Sequence, residues 1–191
     1  MVWSGKMERL NGFEWFWVVV ATAFLIAVIF FRPKRNRGGG SEKKVEKILT
    51  KLGKDYHVFR DIVIPSQGGM SHIDFVVVSP YCVFVIDVRR EEGVVWGEPN
   101  SREWNLGKNE TIYNPIWRNR GHMNGLEDQF GKLEMQSVVV FVNSKIKGEF
   151  GGDVINPEKM EGVLKSRNIK MISPEQLDFT KKVLKSLSRQ K

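Results

Sequence analysis

The sequence predicts an α/β domain carried behind one N-terminal transmembrane helix, and three features of the chain do so. The run Trp15–Phe31, WFWVVVATAFLIAVIFF, contains no charged residue. Four stretches rich in β-branched and aromatic residues, Val58–Ile64, Ile73–Val78, Cys82–Val88 and Ser137–Val142, read as strands. Around them lie segments whose apolar residues recur three and four positions apart, or that open on a capping residue followed by proline, and these read as helices.

At about 1.5 Å per residue the apolar run spans roughly 25 Å, and with Gly12 and Phe13 it is long enough to cross a bilayer. Trp15 and Trp17 suit the headgroup region at one end. Arg32, Lys34, Arg35 and Arg37 close the other, against Lys6 and Arg9 before the span. That asymmetry predicts a single-pass cell-membrane protein with lipid around its N-terminal helix and its C-terminal domain in the cytoplasm. A cleavable signal peptide fits poorly, because Phe30, Phe31 and Arg32 stand where small residues are needed. Residues 1–37 are therefore the N-terminal segment, with the helix at about 13–31 and a basic stop. Residues 38–41 are a glycine-rich linker, and 42–191 the domain.

Composition narrows the chemistry. The net charge is +8, but from Ser41 onward 24 Lys+Arg stand against 20 Asp+Glu, leaving +4, so charge gives weak support to nucleic-acid binding by the domain. Cys82 is the single cysteine, which excludes a disulfide framework and a Cys-rich zinc site and favours a reducing compartment.

Within the domain Ser41 is placed to cap a helix carrying Val45, Ile48, Leu49 and Leu52 and ended by Gly53. The next three strands make a meander. Residues 97–113 are polar and read as a loop or irregular strand, with Trp96 and Trp104 as packing anchors. Asn114-Pro115 opens a second helix. After the Ser137–Val142 strand come a short helix from Pro157, a strand at Ile169–Ile172 and a basic terminal helix from Ser173-Pro174-Glu175.

The chemistry concentrates in HIDFVVVSPYCVFVIDVRR, residues 72–90. If Ser79–Cys82 is a four-residue loop, Val78 pairs with Val83 and, counting outward, Asp74 faces Asp87. Alternation puts Arg89 on the face of Asp87, and Glu42 can approach from the first helix. Two carboxylates this close raise one another's pKa unless a cation joins them, and oxygen-only ligands suit Mg²⁺. The competing reading pairs both aspartates with Arg89, Arg90 or Arg60. His57 and His72 read as local structural or surface residues. The lysines of the terminal helix read as a solvated face.

These stretches, in their order, resemble a known family. Gly40-Ser41-Glu42-x-x-Val45, Leu52-Gly53-x-Asp55-Tyr56-His57-Val58-Phe59, Ile73-Asp74-x-Val76-Val77-Val78-Ser79-Pro80, Val83-Phe84-Val85-Ile86-Asp87-x-Arg89, Gly93, Gly97, Trp104 and Asn114-Pro115-Ile116 through His122 are similar to the nuclease-related domain (NERD), a distant relative of the PD-(D/E)XK nucleases. The resemblance covers about residues 40–143. It implies a restriction-endonuclease-like mixed sheet flanked by helices and a Mg²⁺-dependent (or Mn²⁺-dependent) phosphodiesterase site. Glu42, Asp74 and Asp87 would be its acidic metal residues and the Val88 carbonyl a further ligand. Arg89 falls at the catalytic-lysine position and His122 at a family histidine, with Arg118 and His122 able to face nucleic acid from the second helix. Asp87 stands where Glu is commoner, Arg89 replaces Lys, Arg118 stands where Gln is expected and Phe75 where His is common. Arginine keeps the charge of lysine but cannot act as a base. The expectation is a membrane-anchored, Mg²⁺-dependent nuclease acting on DNA, or alternatively RNA, at the cytoplasmic membrane face. Its rival is a catalytically impaired nucleic-acid-binding or protein-interaction scaffold on the same fold.

Overall fold

In a computed structural model the chain forms a seven-stranded mixed sheet with helices on both faces. The structure describes residues 40–66, 69–107 and 110–188. The expected transmembrane helix, its basic stop and residues 38 and 39 of the linker lie outside these residues. Among the described residues no helix is long and apolar enough to cross a membrane.

The elements run α1 (Gly40–Leu49), β1 (His57–Ser66), β2 (Gly69–Val78), β3 (Val83–Trp96), β4 (Glu103–Gly107), β5 (Glu110–Tyr113), α2 (Pro115–Phe130), β6 (Met135–Lys147), β7 (Val154–Ile155), α3 (Pro157–Lys165) and α4 (Pro174–Leu187). Strands β1 to β5 are joined in order by antiparallel pairing. β6 runs parallel to β3 and carries β7 on its far side. Helices α1 and α3 cover one face around Phe75, Val77, Phe84, Ile86 and Val88. Helices α2 and α4 cover the other around Val76, Val78, Val83 and Val85. Alternation along the β-branched strands makes both faces apolar, so each needs a helical layer.

Several expectations change. Ser41 lies inside α1, which starts at Gly40. The polar stretch 97–113 contains the β4–β5 pair; Trp104 is fully buried as expected, whereas Trp96 is 52% exposed. Ile169–Ile172 is not a strand. Its backbone donors at Met171 and Ile172 both go to the Pro80 carbonyl, and only Ile172 of its apolar side chains is buried. Asn114 caps α2 by accepting from the Ile116 N–H, with Pro115 in the first turn, and Ser173 closes a full capping box on α4.

Two irregularities position the site. β3 pairs with β2 over Phe75↔Ile86 to Val78↔Val83 and then continues alone on that side until Trp96 meets Asn105 of β4. β2 also changes face at this point: Ile73 belongs to the α2 side, but Phe75, two residues on, belongs to the α1 side. Opposite Asp74, bracketed by Arg60↔Phe75 and Ile62↔Ile73, stands Asp61, whose φ of 54° is the one positive value at a non-glycine residue among those described. A side chain in the left-handed region costs about 1 kcal/mol, which the flanking strand pairs over-determine.

Candidate active site

Because β2 leaves β3 after Phe75↔Ile86, the next β3 donor facing that gap, the Val88 N–H, has no strand partner there. Asp74 fills the place with its side chain: Oδ2 accepts from the Val88 N–H at 2.8 Å. The register expected from the Ser79–Cys82 loop is the one observed, with Val78 opposite Val83 and the Ser79 hydroxyl bonded across the loop to the Cys82 carbonyl at 2.9 Å. Extending it by one step sets Asp74 beside Asp87.

Asp87 is 3% exposed and shares the α2 side of β3 with Val85 by alternation. Its Oδ1 accepts from the Arg118 guanidinium, which comes down from the first turn of α2. Its Oδ2 is buried and has no hydrogen-bond partner among the described residues; Arg89 Nη1 lies 3.9 Å from it. Arg89 is held in turn by Glu91, which accepts from Nε at 3.1 Å and also from Nη2.

The site is buried enough to disturb its titrations. Burial pushes the Asp74 carboxyl above its usual range, the Val88 N–H opposes this, and the Asp87 charge adds to the rise, while His72 and Arg118 partly offset it. Burial holds the His122 imidazole below its usual value, with Asp87 opposing and Arg118 and His72 reinforcing. His122 therefore rests neutral near pH 7. Asn119 fixes its tautomer: the amide nitrogen donates to the Val85 carbonyl at 2.7 Å and to Ser137 Oγ at 3.0 Å, so Oδ1 is left to accept from His122 Nδ1 at 3.3 Å. His122 Nε2 is then the basic nitrogen.

The structure thus brings together Asp74, Asp87, Arg89, Arg118 and His122. It does not bring Glu42 to them. Glu42 accepts from Arg90, which alternates with Val88 toward the α1 side of β3. Among the described residues no group of three or more His, Cys, Asp and Glu side chains is disposed to hold a metal ion. Three participants escaped sequence reasoning. His72, read as a local residue, reaches Asp61 Oδ1 from Nε2 at 3.2 Å and lies 3.8 Å by Nδ1 from Asp74 Oδ1. Its signal was its place two residues before Asp74. Glu91 stands two residues after Arg89, and Asn119 follows Arg118; neither has a sequence signature of its own.

Residues 37–142 match the family profile of the nuclease-related domain. This chain belongs to the NERD family. The match runs from the residues before α1 into β6, so it contains both aspartates, Arg89, Arg118 and His122. A relative from Bacillus anthracis, described as an uncharacterized protein, is 29% identical over 96 residues, which is 48% of this chain. The chain spans 45% of that relative's length. The NERD match gives the domain a nuclease-related function. The divergence of β2 and β3 is where its acidic pair lies.

Proposed function

We propose that this NERD protein is a divalent-cation-dependent phosphodiesterase of DNA, anchored by residues 13–31 and working at the cytoplasmic membrane face. The observation that carries the reading is the buried Oδ2 of Asp87, without a hydrogen-bond partner among the described residues and next to Asp74. An orphaned buried carboxylate oxygen is expensive, and a hard cation that accepts oxygen ligands would offset the cost. The residues present fit such an ion: Mg²⁺ commonly takes one or two carboxylates and completes its shell with water and substrate phosphate. Asp74 and Asp87 would hold it. When bound, it would lower the pKa of a water and neutralise charge developing on the phosphodiester.

The chain's other residues divide the remaining work. Arg89, its fork fixed by Glu91, supplies a permanent positive charge beside Asp87 and cannot take a proton. His122, neutral with a basic Nε2, can accept a proton or a hydrogen bond from the α2 side. Glu42 serves the structure by holding Arg90. The test is cleavage of labelled single- and double-stranded DNA by the full-length protein, with Mg²⁺ or Mn²⁺ against EDTA. Cleavage should need the metal and vanish in Asp87→Asn; undiminished turnover in that variant would sink the assignment.

A second reading has an observation of its own. Arg118 already neutralises Asp87, and Arg89 is occupied by Glu91, as in a fold kept for binding after its chemistry was lost. Metal-independent nucleic-acid binding without turnover would favour it.

A further inference from the structure

We propose that Arg118 is a built-in competitor for the cation position at Asp87, and that a nucleic-acid phosphate draws it away, so that cation and nucleic acid bind cooperatively. This rests on the nuclease reading above and adds to it a mechanism that keeps the centre silent until substrate arrives.

Asp87 is buried and must have a counter-charge in the resting protein. Arg118 is that charge, bonded to Oδ1. A guanidinium and a divalent ion on the two oxygens of one carboxylate repel each other in a medium that screens poorly, so an ion can settle at Asp87 only as Arg118 withdraws. Arg118 is built to withdraw. Its side chain is 46% exposed while its partner is buried, so its stem already spans from the centre to solvent. It sits in the first turn of a sixteen-residue helix with no acidic residue in that turn, where the helix dipole opposes a cation. The alternative partner that best suits a guanidinium is phosphate, which it grips through two parallel hydrogen bonds. The other groups facing the centre cannot take its place: Arg89 is held by Glu91, and His72 is engaged with Asp61. When Arg118 turns to a backbone phosphate, both Asp87 oxygens face the cation position, and the two ligands raise each other's affinity by one and the same factor.

The experiment uses the full-length chain in mild detergent. Free Mn²⁺ is followed by electron paramagnetic resonance, with and without a phosphorothioate DNA oligonucleotide that resists cleavage. Wild type should bind Mn²⁺ weakly alone and about tenfold more tightly with the oligonucleotide, within the usual range of such couplings. Arg118→Gln should bind Mn²⁺ about tenfold more tightly than wild type without DNA, and the oligonucleotide should add little. Arg118→Lys, which keeps the charge, should stay as weak as wild type. Arg118→Met repeats the neutral test if Gln disturbs the fold. Neutral variants that bind Mn²⁺ no better than wild type, or that keep the full effect of the oligonucleotide, would overturn the competition while leaving the nuclease reading intact. Absence of Mn²⁺ binding in every variant, with and without DNA, would overturn both.

Discussion

At the scale of single residues, Asp74 carries two duties that conflict. Its carboxylate replaces a strand acceptor for Val88, yet burial and the neighbouring Asp87 charge favour its protonated form. The folded protein therefore holds this proton above the pH at which the unfolded chain, near the ordinary value of 3.8, releases it. Over that interval the folded state binds more protons, so stability falls as pH rises and levels off once Asp74 has ionised in the fold as well. Urea unfolding from pH 4 upward should show this decline in metal-free wild type, and Asp74→Asn should flatten it. Asn119 predicts a different loss. Asn119→Ala removes bonds to Val85 and Ser137 and leaves His122 without its acceptor, which should cost about 1–3 kcal/mol in chemical denaturation for each buried group left unpaired. Burial lifts the Cys82 thiol to about 12, so it should resist thiol reagents in the native protein and react at once when unfolded.

At the scale of elements, β4 and β5 depend on one aromatic anchor. Trp104 is fully buried, donates from Nε1 to the Glu98 carbonyl at 2.9 Å and packs against Phe150 at a centroid distance of 4.6 Å, the rings tilted by 36°. Gly97 lets the chain pass it: a Cβ there would lie 2.5 Å from Trp104 Cδ1. Gly97→Ala should accordingly destabilise the protein by about 1–3 kcal/mol, measured by thermal and urea unfolding, because the ring has nowhere to move. The same region marks the limits of sequence reading. The β2–β3 register and hence the Asp74–Asp87 meeting were legible, because strand alternation and a short loop leave one answer. The β4–β5 pair was not, since in two strands this short and polar only Trp104, Leu106 and Ile112 mark the core side. Ile169–Ile172 misled through β-branched content; what it lacks is an available strand partner. Glu42 was expected to approach the aspartates from α1, but helices cover both faces of this sheet, and helical spacing does not say which face α1 takes. The positive φ of Asp61, which accompanies the change of face at Asp74, had no glycine or other local marker.

At the scale of the whole molecule, the sequence joins a long uncharged segment to a domain with charge nearly balanced, +4 of the total +8. The full chain should therefore sediment with membranes through alkaline carbonate washing, and a chain lacking residues 1–37 should not; release of the intact protein by carbonate would contradict the anchor. The Val88 amide offers a view of the same molecule from within. Ordinary ladder amides exchange with solvent deuterium when strands separate, but this one is shielded by a carboxylate. Its exchange rate is thus a clock set by a side chain: it should quicken when Asp74 is replaced by alanine while neighbouring Ile86, secured by strand pairing, keeps its pace. One isotope-labelled proton at the fork of two strands can then register, without any substrate or turnover, each event that engages the centre.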